Sequence, residues 1–284
     1  MLAKYKKYYI RNTALIVAGV VFILTAFDAR LTTTFYTVKS AKVAAPVKLA
    51  VITDLHSCYY GKGQKTLVDA INKANPDVLL FVGDICDDKR SNANTEVLLK
   101  AVADMYPCYY VSGNHEIWSR EIGSIKNLFT DYGVRVLSDE VDTISINSQI
   151  LNICGVDDPD LAKYEQNALT FNEQLEVVAG EVDNGNFTIL MSHRPERVDD
   201  YNKYAFNLIV SGHAHGGQWR LFGLKSGLIS PNQGLFPKYT SGIYELENSE
   251  MIVSRGLARE STRVPRIYNR PEIVIITLEN ESVF

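Results

Sequence analysis

The residues of this 284-residue chain that are best suited to chemistry lie in short polar clusters that contain all five of its histidines. Each cluster follows a short apolar run, and carboxylates or an amide accompany the imidazoles. The clustered residues are Asp54, His56, Asp84, Asn114, His115, His193, His213 and His215. One histidine after a strand is more often structural than catalytic. Clusters that all supply oxygen or imidazole groups, with no histidine elsewhere, indicate a metal site.

The types of side chain in these clusters indicate which metals they would bind. Carboxylates, an amide and neutral imidazoles suit Mn²⁺, Fe²⁺ or Zn²⁺ in octahedral or nearly octahedral coordination. Eight groups are too many for one ion once water is counted. Two ions about 3.5–4 Å apart, with one carboxylate bridging them, would use the set well. The clusters therefore predict a site for two divalent ions.

The apolar runs before the clusters predict the elements that position them. These runs are apolar throughout rather than alternating, which is typical of strands buried on both faces. Amphipathic segments between the runs predict helices, so the fold class is α/β. In such folds the polar groups at strand carboxyl ends collect at one edge, where ligands bind. The runs are 48–53, 78–82, 108–112, 187–192 and 206–211, and the helical segments are 64–75, 94–105 and 170–179.

The five clusters, taken in order, resemble the sequence blocks of the calcineurin-like metallophosphoesterase superfamily. They read DLH, GDICD, GNHE, SHRP and GHAH, and the match spans residues 47–215. The motif GHAHGGQ and the later stretches KYTSGIY and SRGL resemble the exported or membrane-attached bacterial branch of this superfamily. The resemblance implies a four-layer fold of two packed, mostly mixed β-sheets flanked by helices. Late apolar segments at 242–247, 251–254 and 272–278 agree with it, because they predict strands of a second sheet.

The resemblance also implies a role for each clustered residue. The first ion would be bound by Asp54, His56 and His215, and the second by Asn114, His193 and His213. Asp84 would bridge the two ions. His115 would face the substrate and assist the leaving group, with Asp87 orienting its ring.

The identity of the metal follows from one departure from a known pattern. Purple acid phosphatases place a tyrosine where Asp87 stands and a glycine where His56 stands. This chain is therefore not expected to carry their tyrosine–iron(III) pair, and Mn²⁺ is the expected metal, with Fe²⁺ or Zn²⁺ as alternatives. Arg194, next to His193, is expected either to contact a phosphate or to form a surface salt bridge.

The N-terminal region predicts attachment to a membrane. Several basic residues precede an uncharged apolar run at 13–27, which is the arrangement of a signal peptide or a signal anchor. No good small-residue cleavage site follows. Residues 1–27 are therefore predicted to form an uncleaved, single-pass anchor, in preference to a removed signal peptide or a buried core helix. A tether at 28–46, with strand-like residues at 32–38, and a catalytic domain at 47–284 outside the cytoplasm would follow.

Composition limits the range of partners. The net charge of −4 and the pI of about 5.8 make nucleic acid an unexpected partner, because nucleic-acid binding usually needs a basic face. A small phosphorylated substrate remains compatible, since bound cations supply positive charge locally. The four cysteines form no C-x-x-C pair and are predicted to be buried, small hydrophobic residues. Nothing in the sequence indicates a protein partner.

The predicted function is hydrolysis of a phosphodiester or pyrophosphate bond by water that two cations activate. A lipid-linked substrate is attractive, because an anchor raises the effective concentration of anything in the bilayer. A nuclease and a phosphomonoesterase are alternative enzymes. A metal-stabilised binding module without activity is the third alternative, and such a protein could lose His115 or Asp87 without losing its fold. Turnover of an aryl phosphodiester with added Mn²⁺ distinguishes the enzymes from the module.

Overall fold

A computed structural model describes residues 2–221, 226–259 and 264–281. Its first six-stranded sheet has the order β1-β14-β2-β3-β4-β5. The strands from β2 to β5 run parallel, β14 runs antiparallel to β2, and β1 runs parallel to β14. The bounds are β1 (Thr32–Ser40), β2 (Val47–Ile52), β3 (Val78–Val82), β4 (Cys108–Val111), β5 (Arg135–Val136) and β14 (Glu272–Asn280).

The second six-stranded sheet has the order β12-β13-β9-β8-β7-β6. Its four inner strands run parallel, and both edge strands run antiparallel to their neighbours. The bounds are β6 (Glu140–Ile146), β7 (Gln149–Gly155), β8 (Phe187–Met191), β9 (Leu208–Ser211), β12 (Gly242–Glu245) and β13 (Glu250–Val253). A separate two-stranded hairpin is formed by β10 (Ile229–Ser230) and β11 (Gly234–Leu235).

Helices cover the outer faces of both sheets. The helices are α1 (Leu2–Ala26), α2 (Lys65–Ala74), α3 (Ala93–Val102), α4 (Asn114–Trp118), α5 (Ile122–Asp131), α6 (Leu161–Tyr164), α7 (Phe171–Glu181) and α8 (Val198–Tyr201). Apolar residues of α2, α3 and α5 pack on the first sheet, and those of α7 and α8 pack on the second. The predicted helices at 64–75, 94–105 and 170–179 correspond to α2, α3 and α7.

A third apolar cluster joins the inner faces of the two sheets. Leu49 and Val51 of β2 belong to it together with Ile189 and Met191 of β8. Every residue of β3 and β8 is buried, because one face of each strand meets helices and the other meets the opposite sheet. This double coverage explains the unbroken apolar runs and confirms the predicted four-layer α/β fold. The four cysteines are buried, as predicted, and none of them forms a disulfide.

The structure adds detail to the two ends of the predicted domain. Segment 272–278, predicted in the second sheet, lies within β14 of the first sheet, between β1 and β2. Residues 32–40, inside the predicted tether at 28–46, form β1 and pair with β14 along its whole length. Val38 of this strand is buried between the sheets. The folded unit therefore includes residues that precede position 47.

Helix α1 stands outside these layers. Its segment Tyr5–Ala26 has a mean hydropathy of 1.7, so it is long and apolar enough to cross a membrane by length and composition. Among its described side chains Ala26 alone is buried, which excludes the alternative of a buried core helix. The helix touches the domain at its end, where the Phe22 ring meets Tyr268 edge-on and the Tyr268 N–H donates to the Ala26 carbonyl at 2.7 Å.

Two truncated chains test whether β1 belongs to the folded unit. A chain that begins at Asp28 keeps β1, and we expect its unfolding temperature to stay close to that of the parent. A chain that begins at Pro46 loses β1, exposes the edge of β14 and uncovers the core beside Val38. We expect its unfolding temperature to fall by about 10 °C or more in calorimetry. Equal unfolding temperatures for the two chains would contradict this assignment.

Candidate metal centre

The predicted site residues come together where the carboxyl ends of strands from both sheets meet. Each cluster begins at or just after the last residue of its strand, so the parallel strands deliver all five clusters to one edge of the sandwich. Asp54 and His56 follow β2, Asp84 follows β3, Asn114 and His115 follow β4, His193 follows β8, and His213 and His215 follow β9. The first three clusters belong to one sheet and the last two to the other.

Among the described residues, side chains at this edge form four groups with the spacing of metal ligands, and two of these groups share no residue with each other. In the first group Asp54, His56 and His215 each offer an atom within 4.8 Å of the others. The second group, with the same limit, contains Asp84, His193 and His213. The sequence prediction puts Asp54, His56 and His215 on one ion and His193 and His213 on the other. Asp84 also belongs to a third group, with His56 and His115.

Asp84 lies between the two groups. Its Oδ2 is 3.1 Å from His193 Nε2 and 3.7 Å from His56 Nε2. Its Oδ1 accepts a hydrogen bond from the His115 N–H at 2.8 Å, which fixes the direction of the carboxylate. Oδ2 therefore faces a histidine of each group, which is the position that a bridging ligand needs.

Several buried polar atoms at this edge have no hydrogen-bond partner among the described residues. A buried acceptor without a partner costs about 1–3 kcal/mol, and a protein rarely tolerates several together. Seven of these atoms lie on side chains that the sequence analysis assigns to one ion or the other, or to the bridge between them. The unpartnered atoms of the predicted ligands are His56 Nδ1 and Nε2, Asp84 Oδ2, Asn114 Oδ1, His193 Nε2, His213 Nδ1 and His215 Nδ1. Bound cations would satisfy such acceptors, so the residues present fit a metal.

In His193 and His213, one ring nitrogen donates a hydrogen bond to the surrounding protein, which leaves the lone pair of the other nitrogen free to bind a metal ion. His193 Nδ1 donates to the Val82 carbonyl at 2.8 Å, so Nε2 is the free acceptor. His213 Nε2 donates to Asn232 Oδ1 at 2.9 Å, so Nδ1 is the free acceptor. Partners of this kind orient the metal-binding histidines of known sites and set their tautomers.

The buried carboxylates of the centre would be stabilised by a positive charge placed among them. Burial raises the pKa of Asp54. Burial also raises that of Asp84, but His193, His115 and His56 outweigh it and hold the Asp84 pKa well below its ordinary value. Burial lowers the pKa of His193, yet the carboxylates of Asp84 and Asp54 raise it to about 10. A proton shared by Asp84 and His193 therefore supplies the positive charge that a bound metal ion would supply at this position.

Burial has the opposite result for the two histidines of the last cluster. It lowers the pKa of His213 and of His215 well below the ordinary value of an imidazole. The Arg194 guanidinium adds to the effect on His213, and the neighbouring His56 ring adds to the effect on His215. Both rings are thus neutral at pH 7, which is the form that binds a metal.

The backbone at the centre is strained. Asp54, His56, Asp84, His213 and His215 all have positive φ, between 46° and 62°. A non-glycine residue in this region costs on the order of 1 kcal/mol, and such residues collect at functional sites. Five of the seven predicted ligands therefore adopt a conformation that local sequence preference disfavours.

Glu116 holds two of the strained loops together. Its carboxylate accepts four backbone N–H bonds of 2.7–2.9 Å, from residues 84, 85, 86 and 113. The side chain is completely buried. It therefore ties the loop that carries Asp84 to the loop that carries Asn114 and His115. The sequence contains this residue within GNHE, although no role was predicted for it.

The partner of His115 differs from the prediction. His115 Nδ1 is 2.7 Å from Asp88 Oδ1 and 3.9 Å from Asp87 Oδ2. Asp87 Oδ2 lies closer to His56 Nδ1, at 3.4 Å. The prediction that Asp87 orients the His115 ring is therefore wrong in this structure, because the chain turns between the two aspartates and brings Asp88 to the ring instead. The His115 side chain is 24% exposed, whereas that of His193 is completely buried.

Arg194 forms an ion pair, but a buried one instead of the surface salt bridge that was one of the two contacts expected for it. It is buried, and its guanidinium makes a two-pronged ion pair with Asp158 at 2.6 and 2.9 Å. Nη1 donates to Asn232 Oδ1 at 2.7 Å, and the same oxygen accepts from His213. Arg194 therefore supports Asn232, which in turn holds the His213 ring.

Three further residues support the centre without a local signal in the sequence. Asn232 lies in the turn between β10 and β11 and bonds to His213. Asn269 donates to the carbonyls of His215 and Gln218 at 2.7 and 3.1 Å. Gly256 packs directly against the Asp54 carboxylate. All three come from loops far along the chain, so only the tertiary fold reveals them.

A cleft of about 370 Å³ opens above the centre. His56, His115 and His215 face it from the metal side, and Asp87 and Asp88 line it beside them. Lys89, Arg90, Gln218, Pro231 and Val264 complete the wall. The cleft can therefore admit a small charged group next to His115 and to two predicted ligands of the first ion, His56 and His215.

The four-layer fold and the paired His/Asp groups define a metal-dependent hydrolase of phosphate esters. Residues 47–217 match the family model described as Calcineurin-like phosphoesterase. The chain belongs to the calcineurin-like phosphoesterase family and is a phosphoester hydrolase, as predicted. This family uses divalent metals, and the His/Asp groups supply places where they could bind.

Two curated relatives show how far the likeness extends. The uncharacterized metallophosphoesterase YkuE of Bacillus subtilis is 29% identical over 260 residues, which cover 88% of this chain and 86% of that protein. The transmembrane protein with metallophosphoesterase domain of Bos taurus is 26% identical over 247 residues, which cover 82% of this chain but 53% of that protein. The likeness therefore includes regions outside the residues matched by the family model.

A solved structure supports the fold alone. The NAD nucleotidase of Haemophilus influenzae superposes with a TM-score of 0.52 at 15% identity. The superposition covers 76% of this chain and 46% of that one, so this chain spans about half the length of that protein. The likeness agrees with the two-sheet architecture described above.

One substitution tests the packing of glycine against the centre. Gly256 has φ +69°, and a Cβ built on it would lie 2.4 Å from Asp54 Oδ2. We expect Gly256→Ala to displace Asp54 and to lower the metal content of the purified protein, with a stability loss of about 2–4 kcal/mol in urea unfolding.

Gly133→Ala provides the matched control. Gly133 has φ +80° with nothing within 4 Å of a built Cβ, so the alanine adds strain without a clash. We expect this variant to lose about 1 kcal/mol and to keep its metal. Equal metal content in the two variants would show that Gly256 does not position Asp54.

Proposed function

We propose that this chain is a membrane-anchored, two-metal phosphodiesterase that cleaves a phosphodiester or pyrophosphate bond of a lipid-linked substrate. The ions are proposed to be Mn²⁺, with Fe²⁺ or Zn²⁺ as alternatives. Asp54, His56 and His215 would hold one ion, Asn114, His193 and His213 the other, and Asp84 would bridge them. The coarser activity, hydrolysis of a phosphate ester, is the activity of the family.

One observation carries this proposal: unpartnered, buried acceptors from both groups of ligands converge around Asp84 Oδ2. Such a set is stable only when positive charge lies among its members. No thiolate takes part, and the mixture of imidazole with oxygen suits a borderline divalent ion. When bound, divalent cations draw negative charge from phosphoryl oxygens and lower the pKa of a water molecule.

The protein's own contribution to catalysis would come from His115. Its ring lies at the wall of the cleft, is partly exposed, and is held by Asp88 through Nδ1. Burial lowers the pKa of His115. The nearby carboxylates, Asp84 first among them, outweigh burial and raise this pKa above its ordinary value. A ring held in this way favours the protonated form, which can donate a proton to a departing alkoxide or phosphate.

Attachment to a membrane is supported by α1. The helix meets the length and hydropathy that a bilayer span requires, and its apolar side chains face away from the domain. Basic residues at its amino end would keep that end in the cytoplasm and place the catalytic domain outside. A lipid-linked substrate then follows from proximity, since an anchored enzyme meets bilayer components at a high effective concentration.

The activity is tested with the full chain in detergent, stripped with a chelator and reloaded with Mn²⁺, Fe²⁺ or Zn²⁺. Substrates are a bis-aryl phosphate, an aryl monophosphate, single-stranded DNA and a lipid-linked pyrophosphate. We expect turnover of the diester or pyrophosphate only after reloading. We expect His115→Ala to reduce kcat by about 100- to 10,000-fold with its metal content unchanged.

Four outcomes would contradict the proposal. A protein that binds no metal would refute the assignment of the ligands. A His115→Ala variant with the parent's kcat would refute the role of that ring. Metal-loaded protein that leaves every substrate intact would favour the non-catalytic binding module. Preference for the monoester or for DNA would instead favour one of the alternative enzymes.

A pair of aspartate variants tests which carboxylate orients His115. We expect Asp88→Asn to lower kcat by about tenfold with unchanged metal content, because Asp88 contacts His115 at 2.7 Å. We expect Asp87→Asn to lower the metal content first, since Asp87 lies 3.4 Å from His56. Kinetics and elemental analysis of both variants check this. The opposite pattern would restore the role that the sequence gave to Asp87.

A further inference from the structure

An apolar hairpin lies beside the metal centre and faces solvent. It comprises residues 228–236, including β10, β11 and the turn between them. Leu235 is 64% exposed and Phe236 69% exposed, and Ile229, the strand partner of Leu235, is exposed as well. Scattered exposed hydrophobic residues are normal, but adjacent ones that form a patch indicate an interaction surface.

The backbone holds Phe236 in this exposed position. Phe236 has φ +55°, a conformation that is unusual for a bulky side chain. Its N–H donates to the Leu228 carbonyl at 2.9 Å, which closes the hairpin at its open end. Strain that is kept at an exposed aromatic residue is a reason to look for a function.

A ladder of backbone hydrogen bonds connects this hairpin to the end of α1. Ala26 accepts from Tyr268, Ile267 accepts from Arg220 and donates to Gln218, and Leu228 donates to Gly217. Phe236 then bonds to Leu228. The ladder crosses three gaps between adjacent chain segments, so the start of the hairpin at Leu228 lies within about 15 Å of the helix end.

The same surface supports the catalytic centre. Asn232, in the hairpin turn, accepts from His213, and Asn269, two residues after Ile267, donates to the His215 carbonyl. Pro231 of the turn and Val264 both line the cleft above the ions. The cleft mouth therefore lies between the hairpin and the segment that touches α1.

From this placement we propose that the apolar hairpin docks on the bilayer that α1 spans, with Ile229, Leu235 and Phe236 at the boundary between headgroups and acyl chains. This inference rests on the proposed membrane anchor and deepens the proposed substrate class. Docking would hold the cleft mouth at headgroup level. The substrate is then an amphiphile whose phosphodiester or pyrophosphate lies at the junction of its headgroup and its lipid.

The bilayer is the occupant that the geometry favours over a protein partner. A span that ends at Ala26 puts the membrane surface at the start of the ladder, and the hairpin lies within three strand spacings of that point. Lys238, exposed two residues after Phe236, adds a cation that suits anionic headgroups. Interfacial elements commonly combine apolar side chains with nearby basic residues in this way.

A fluorescent label tests docking without any need for activity. The native cysteines are buried, so a single cysteine introduced by Leu235→Cys can be labelled selectively with an environment-sensitive dye. The labelled full chain is reconstituted into vesicles of phosphatidylethanolamine and phosphatidylglycerol that contain brominated acyl chains. Met105→Cys is the matched control, because Met105 is exposed and precedes β4, at the edge of the sheet opposite the centre.

We expect the dye at position 235 to shift to shorter wavelength and to be quenched by brominated lipid at least about twofold more than the dye at position 105. Equal quenching at the two positions, or quenching at neither, would overturn the proposal. Protection of the dye at 235 that depends on protein concentration instead of lipid would assign the hairpin to a second copy of the chain, and would overturn it also.

A kinetic comparison tests the substrate class. The two probes are bis-nitrophenyl phosphate in solution and the nitrophenyl ester of a diacylglycerol phosphate in vesicles, which share the same leaving group. We expect the double variant Leu235→Ser/Phe236→Ser to lose roughly tenfold in kcat/KM on the vesicle-held ester and to keep its activity on the soluble one. Met105→Ser should change neither.

The two probes separate failure of this inference from failure of the proposed function. If the parent chain hydrolyses neither ester and also leaves the lipid-linked pyrophosphate intact, the proposed function is wrong, whatever the label reports. If the parent hydrolyses both esters and the double variant loses both equally, the hairpin only supports the fold of the centre and docking is wrong. If the double variant loses neither, docking makes no contribution to substrate capture and the inference fails.

Discussion

The structure is organised around a set of buried acceptors that need a cation. Asp84 Oδ2 faces His193 Nε2 at 3.1 Å and His56 Nε2 at 3.7 Å. Atoms of Asn114, His213 and His215 at the same edge also lack hydrogen-bond partners among the described residues. When no proton or cation lies among them, imidazole lone pairs and carboxylate oxygens repel one another where they are buried together. Positive charge among them turns this repulsion into attraction, and the surrounding fold keeps the acceptors in place for it.

That requirement explains features that would otherwise only reduce stability. Five predicted ligands have positive φ, and Glu116 is buried with four backbone N–H groups around it. The strain is on the order of several kcal/mol in total. It is tolerated because two six-stranded sheets with three apolar clusters form a rigid frame. Bound metal would offset it further, since a ligand that binds only the native state stabilises that state.

The local sequence predicted the strands that are buried on both faces, and it predicted the polar site residues that follow these strands. Unbroken apolar runs gave β2, β3, β4, β8 and β9, and the clusters that follow them do meet. The sequence could not show that Asp88 instead of Asp87 contacts His115, because adjacent aspartates differ only in the turn between them. Asn232, Asn269 and Gly256 reach the centre through long-range packing, which no local pattern encodes. The sheet that receives β14 is likewise set by tertiary pairing.

The most direct test of this account is the number of metal ions bound per folded chain, measured by elemental analysis of full-length protein, together with thermal unfolding before and after chelation. The account predicts about two divalent ions per chain and an unfolding temperature that falls by at least about 5 °C on chelation and recovers when metal returns. A folded chain that binds no ion, with an unfolding temperature insensitive to chelator, would contradict the claim that the buried acceptors exist to hold cations.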